Sequence, residues 1–295
     1  MTGNGTHSAA GAAQTRAYPA ARATSLPAAA SATRHAAAVP LAARAVGKTY
    51  GDDEAANPVI GEISFDLRPG EIVSLVGPSG CGKTTLLNLL SGLTRPTRGE
   101  VLWHGEPLAD VPRGIGYMLQ KDMLMSWRTA LANVTLGLEM AGMPRAHRDK
   151  KALAMLGKVG LAPYYDYYPS ALSGGMRQRV ALARTLVTDP EVLLLDEPFA
   201  ALDFQTKVVL ESDMARLVRS EGRSVLLITH DVEEAVSLSD RVIVLTHRPS
   251  RIRAIHEIRL AGERGDMMAM RDAPGFTALV REIWSQLDVR MGERQ

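Results

Sequence analysis

The chain has 295 residues, with 34 basic and 32 acidic side chains and a formal net charge of +2, which allows a sizeable core but gives no electrostatic case for nucleic acid or an anionic surface. Its single cysteine, Cys81, excludes an intramolecular disulfide and a multi-cysteine zinc site, as suits the reducing cytoplasm. No apolar run reaches the roughly 18 residues needed to cross a bilayer as a helix, so work at a membrane requires other chains to span it.

Residues 1–40 are rich in Ala, Ser, Thr and Gly, with Arg16, Arg22 and Arg34 scattered among them. Such a stretch buries too little surface to offset its ordering entropy and is expected to be a disordered tail. A signal peptide would need a compact apolar region, and here prolines and polar residues interrupt every candidate. From Glu62 to Arg68 apolar and polar residues alternate before Pro69-Gly70, which predicts a half-buried strand entering a hairpin. The runs Ile72 to Val76, Val192 to Leu195, Val225 to Ile228 and Val242 to Leu245 are apolar apart from Ser74, as in strands covered on both faces of a largely parallel sheet. Helical stretches separate them, and the class is α/β.

Between Gln120 and Ser173 two amphipathic stretches, Ala130 to Met140 and Arg145 to Val159, predict a helical insert. Beyond Leu245 a basic turn, Arg248-Pro249-Ser250-Arg251, leads to a short alternating strand and a final helix near Phe276 to Leu287. The expected organisation is the tail, one α/β domain over 41–270 with its helical insert at about 120–187, and a C-terminal helix and tail over 271–295.

Gly77-Pro78-Ser79-Gly80-Cys81-Gly82-Lys83-Thr84 has the spacing G-x-x-x-x-G-K-[ST] and lies between a predicted strand and a predicted helix, the context this motif requires. Its glycines let the backbone wrap a phosphate chain, so that successive N–H groups and the positive helix end face the anion. Lys83 is placed to reach the β- and γ-phosphates and the Thr84 hydroxyl to bind Mg²⁺, with Thr85 next along the helix. The bland alternative is an ordinary Gly-rich turn. Cys81, at a helix start beside Lys83, is expected to have an acidified thiol that ATP protects from alkylation.

Val192-Leu193-Leu194-Leu195-Asp196-Glu197 ends an apolar strand in two acids at the sheet edge where ligands bind. Asp196 suits an Mg²⁺-associated role and Glu197 the base that orients the attacking water; simple capping of the next segment is the alternative. His230, after Val225 to Thr229, suits a hydrogen bond to the γ-phosphate that holds Glu197 in register. Its competitor is a satisfied histidine at a helix start, with Asp231 and Glu234 as a capping pair.

Leu172-Ser173-Gly174-Gly175-Met176-Arg177-Gln178-Arg179 supplies a second anion-accepting helix start. It resembles the signature of ABC ATPases, whose surface binds the γ-phosphate of ATP held by a second subunit. That resemblance extends from about Leu41 to the final helix. It implies that Tyr50 stacks on adenine, that Gln120 senses Mg²⁺ and the attacking water, that Ser173, Gly174 and Gly175 complete a nucleotide site across a homodimer, and that Ala201-Leu202-Asp203 links the two sites. Asp203 is equally suited to be a helix N-cap.

The segment Met118 to Arg128, the Arg248-Pro249-Ser250-Arg251-Ile252 turn and Arg281-Glu282-Ile283-Trp284 resemble the ATPases of nitrate, sulfonate and taurine importers, although Ser126 stands where that group carries Pro. The implied protein is a peripheral subunit on the cytoplasmic face of the inner membrane, working with ATP and Mg²⁺. Its partners would be a second copy, permease subunits and, indirectly, a solute-binding protein. Met123, Leu124, Met125 and Trp127 suit a permease socket, or else a packed core cluster. The rivals are an ATPase of another importer class and a non-transport ABC ATPase, which usually carries a second cassette, a coiled-coil insertion or zinc cysteines.

Overall fold

The computed structural model describes residues 39–51, 56–200, 202–262 and 266–287. The expected tail, apart from Val39 and Pro40, lies outside them, as do Ala201 and residues 288–295.

One sheet carries the described residues, with its ten strands in the order β5-β4-β1-β2-β10-β9-β3-β8-β7-β6. At one end are β1 (Leu41–Tyr50), β2 (Asn57–Leu67), β4 (Arg98–Trp103) and β5 (Glu106–Pro107), whose mutual pairings are antiparallel. At the other are β3 (Ile72–Val76), β6 (Ile115–Met118), β7 (Val192–Asp196), β8 (Ser224–Ile228) and β9 (Arg241–Leu245), all parallel. β10 (Ser250–Glu257) joins the halves, parallel to β2 and antiparallel to β9.

Residues of β3, β7, β8 and β9 are buried along their whole lengths, because helices cover both faces. Side chains of β7 show the division: Leu193 and Leu195 join one cluster, Val192 and Leu194 another. Each fully buried leucine contributes roughly 1.5–3 kcal/mol of transfer free energy. On the first face pack α2 (Ala130–Val134), α4 (Arg145–Lys158), α5 (Gly174–Leu186) and α6 (Phe204–Ser220). The second face takes α1 (Lys83–Leu90). A third cluster joins α7 (Val232–Leu238), α8 (Met267–Arg271) and α9 (Phe276–Gln286) to Val242 and Val244 of β9.

Two expectations change. β2 does not form a hairpin with β3: the Pro69-Gly70 turn hands the chain to β3, which pairs with β8 and β9 instead. The alternating burial of β2 fits a strand with one wet face, whereas the fully buried β3, apolar but for Ser74, is stable only between covered neighbours. The stretch Ala130 to Met140 is not continuous either, since α2 stops at Thr135 and α3 (Leu136–Met140) restarts there.

Candidate nucleotide site

Registers of the parallel strands bring their carboxyl ends level: Leu75 pairs with Ile228, Asp196 with Ile228, and Met118 with Leu195. The residues just beyond β3, β8, β7 and β6 therefore meet at one edge, as open α/β sheets arrange their ligand sites. There the 77–84 loop, His230, Asp196 with Glu197, and Gln120 come together.

The loop closes on itself before α1. Cys81 N–H donates to the Pro78 carbonyl at 3.2 Å, and Lys83 Nζ donates to the carbonyls of Gly77 at 2.8 Å and Pro78 at 3.2 Å. Gly82 has φ 105°, and a Cβ there would lie 2.7 Å from Val59 Cγ1, so both conformation and space demand glycine. One cleft is lined by Ser79, Gly80, Gly82, Lys83, Thr84, Thr85, Asp196 and Glu197.

Beneath it Thr84 Oγ1 donates to Asp196 Oδ2 at 2.8 Å. Burial of Asp196, joined by the charge of Glu197, raises its pKa against the opposing Thr84 bond and Lys83 charge. A cation would reverse that balance. Among the described residues no group of three His, Cys, Asp or Glu side chains is placed to hold a metal. One hydroxyl and one carboxylate instead fit Mg²⁺, which takes few protein ligands and fills its octahedron with phosphate oxygens and water.

Glu197 is the focus of the polar groups. Gln120 Nε2 donates to its Oε2 at 3.3 Å, and His230 Nδ1 lies 3.2 Å from the same oxygen. Glu197 has φ 45°, a left-handed conformation that costs a non-glycine residue free energy. Its N–H is tied to the Ile228 carbonyl at 3.0 Å, so the strained backbone is held by the neighbouring strand. Gln120 bonds to Glu197 and makes no bond to the Thr84–Asp196 pair.

Ser173 caps α5, its Oγ accepting from Met176 N–H at 3.3 Å, and it stands exposed with Gly174, apart from the residues lining the phosphate cleft of its own chain. A Cβ on Gly175 would lie 2.6 Å from Thr206 Cγ2, which seats this helix start against the beginning of α6. Asp203 is the N-cap of α6, accepting from Thr206 N–H at 3.0 Å. Tyr50 ends β1 with Lys48 Nζ 5.0 Å from one face of its ring, and is not among the residues lining the cleft.

Other expectations need correction. Cys81 is buried, and burial raises its thiol pKa despite the lowering by Lys83, so the acidified nucleophile expected at a helix start is not there. The Asp231–Glu234 capping pair is half formed: Asp231 Oδ1 accepts from Glu233 and Glu234 N–H, but the Glu234 carboxylate turns inward to Lys207 at 2.7 Å. Lys207 also meets Asp231 at 2.8 Å and Glu211 at 3.6 Å. A sequence reading misses this buried cluster because its members lie on two helices with no shared motif.

The apolar group after Gln120 splits. Met123 and Trp127 are 59% and 73% exposed, whereas Leu124 packs on the core. Asn133, fully buried, bonds Met125, Arg128 and Thr129, and Arg184 donates to the carbonyls of Asp122 and Met123. The segment beside Gln120 is thus pinned to the helix that begins at the Ser173 cap.

A phosphate loop at the carboxyl end of a central strand, facing a strand that ends in two acids, defines a phosphate-loop nucleoside triphosphatase. The ABC transporter family matches residues 60–200. An uncharacterized ABC transporter ATP-binding protein of Methanocaldococcus jannaschii is 48% identical over 202 residues, 68% of this chain and 76% of that protein. The aliphatic sulfonates import ATP-binding protein of Xanthomonas axonopodis pv. citri is 44% identical over 237 residues, 76% of this chain and 92% of that protein. A solved ATP-binding cassette, in a dimeric post-hydrolysis state with ADP and Pi, superposes with a TM-score of 0.67 at 32% identity, over 74% of this chain and 99% of that one. The chain belongs to the ABC transporter family as an ATP-binding subunit, an ABC ATPase.

Proposed function

We propose that this subunit drives an importer of a small oxyanion, a sulfonate such as taurine or a nitrate, from the cytoplasmic face of the inner membrane. Two copies bind two ATP molecules head to tail, each between the 77–84 loop of one copy and Ser173 to Gly175 of the other. The observation that carries the catalytic part is the convergence of Gln120 and His230 on Glu197 Oε2, beside the Thr84–Asp196 pair.

In this account Lys83 and the loop N–H groups bind the phosphate chain, and Tyr50 stacks on adenine with the ring face not covered by Lys48. Thr84 and Asp196 would hold Mg²⁺, which would supply positive charge against the phosphate chain. Glu197 orients and polarises the attacking water, fixed by its strained backbone and by Gln120 and His230. Dimer closure excludes water and completes the site. The ATPase domain spans 41–270, and Met123 and Trp127 form part of the socket for a permease helix. Exposure of these two side chains, with their loop pinned to both Gln120 and α5, supports this placement.

Support for the solute class comes from the sulfonate-import relative and from the sequence marks shared with that group. Cells lacking this chain are expected to lose uptake of labelled taurine or another alkanesulfonate, with restoration by the wild type and none by Lys83→Ala. Undiminished uptake of sulfonates and nitrate without the chain overturns the solute assignment.

A further inference from the structure

The basic turn after β9 takes no part in the catalytic arrangement of Glu197, Gln120 and His230. β9 lies next to β3 on the side opposite β8, with Val244 in register with Val76. Its carboxyl end therefore opens onto the same edge as the phosphate loop, and a Cβ on Gly77 would lie 3.0 Å from Leu245 Cβ. The turn is held on both sides: Thr246 N–H donates to the Arg251 carbonyl at 3.0 Å, Arg251 N–H to Thr246 Oγ1 at 3.0 Å, and Ser250 Oγ to the Val59 carbonyl at 3.3 Å.

Its two arginines face different ways. Arg251 lies along β2, its Cγ 3.3 Å from where a Gly61 Cβ would be. Arg248 lines the cleft with Ser79, Gly80 and Lys83. It is exposed, and no carboxylate among the described residues pairs with it. Lys83 is the other cation of that lining, its ammonium held by the Gly77 and Pro78 carbonyls. A guanidinium without a carboxylate partner beside a phosphate-binding loop, on a braced turn, is suited to take phosphate oxygens in a bidentate fashion. Its field already reaches the loop, where it opposes the effect of burial on Cys81.

We propose that Arg248 is a second cationic ligand for the nucleotide's phosphate chain, acting within the same copy as Lys83. This assignment rests on the phosphate-loop reading of residues 77–84, and binding measurements separate the two. ATP affinity of the full chain is measured by calorimetry at low and high salt for wild type, Arg248→Ala and Arg248→Gln, with melting temperatures taken without nucleotide. Both variants are expected to melt as the wild type does, since the residue is exposed. Both should bind ATP about tenfold more weakly at low salt, as for loss of one partly exposed charge-assisted contact. The deficit should shrink at high salt. Affinity within twofold of wild type, or a deficit insensitive to salt, overturns the assignment of Arg248 alone. A wild-type chain that binds no ATP overturns the phosphate-loop reading with it.

Discussion

Replacing Lys207 with Met keeps the aliphatic stem and removes one charge from the cluster that ties the start of α6, next to Asp203, to the start of α7, next to His230. Lys207 lies 2.7 Å from Glu234, 2.8 Å from Asp231 and 3.6 Å from Glu211. Asp231 is partly exposed and recovers water, but Glu211 and Glu234 are 0% and 2% exposed. Removing one partner of a buried ion pair costs about 3–5 kcal/mol. The carboxyls escape part of that by binding a proton: burial, then the charge of Glu234, already pushes Glu211 up to about 8, and burial raises Glu234. The lower end, about 3 kcal/mol, is therefore expected at pH 8.

The sign of the pH dependence is set by the direction of these shifts. A carboxyl whose folded pKa is raised contributes stability that is full below its unfolded value, 4.5 for glutamate, and lost as pH rises toward the folded one. Without Lys207 an additional proton stays bound in the fold, so the variant loses up to about 1.4 kcal/mol per pH unit relative to wild type. The gap should narrow to about 1 kcal/mol or less near pH 5.5. Urea unfolding followed by tryptophan fluorescence at the two pH values measures it. A gap that is the same at both, or under about 1 kcal/mol at pH 8, refutes the cluster as described.

Glu197→Gln should bind ATP as wild type does while turnover falls by about 10²–10⁴, the usual worth of a positioned base, in a phosphate-release assay. Gly175→Val should cost about 1–3 kcal/mol in denaturant unfolding, because its side chain must displace Thr206 from a 2.6 Å approach. Cys81 should resist alkylation in the native protein with or without ATP and react once urea unfolds it; rapid native labelling would contradict its burial. Trp127→Glu should leave stability within about 0.5 kcal/mol, given 73% exposure, while uncoupling ATP hydrolysis from uptake in reconstituted vesicles. Aggregated or unfolded protein would instead indicate a packed role.

The strands that build the nucleotide site were readable because β3, β7 and β8 are mostly apolar runs without the alternation of a half-wet strand, each leading into residues whose chemistry demands a sheet edge. The antiparallel end was harder. β1 carries register shifts between Ala43 and Thr49 that blur its alternation, and β5 spans two residues. Short helices such as α8, capped by Asp266, have too few turns to show a period. Within the site, residue types could be assigned from motifs, but not the shared oxygen of Glu197 on which Gln120 and His230 meet. That convergence depends on the register of three strands, which local sequence does not encode. The Cys81 expectation failed for a related reason: a helix start and a nearby lysine are visible in sequence, whereas desolvation beneath the loop is not.

The central claim is that the 77–84 loop is half of a site completed by a second copy. Sedimentation of Glu197→Gln with Mg²⁺ and ATP tests it most directly, because slowed hydrolysis preserves the closed state. Conversion of the 31.8 kDa chain to a species of twice that mass with ATP, reversed by adding Ser173→Arg, is the predicted result. A Glu197→Gln protein that binds ATP yet sediments as a monomer at every concentration tested would contradict it.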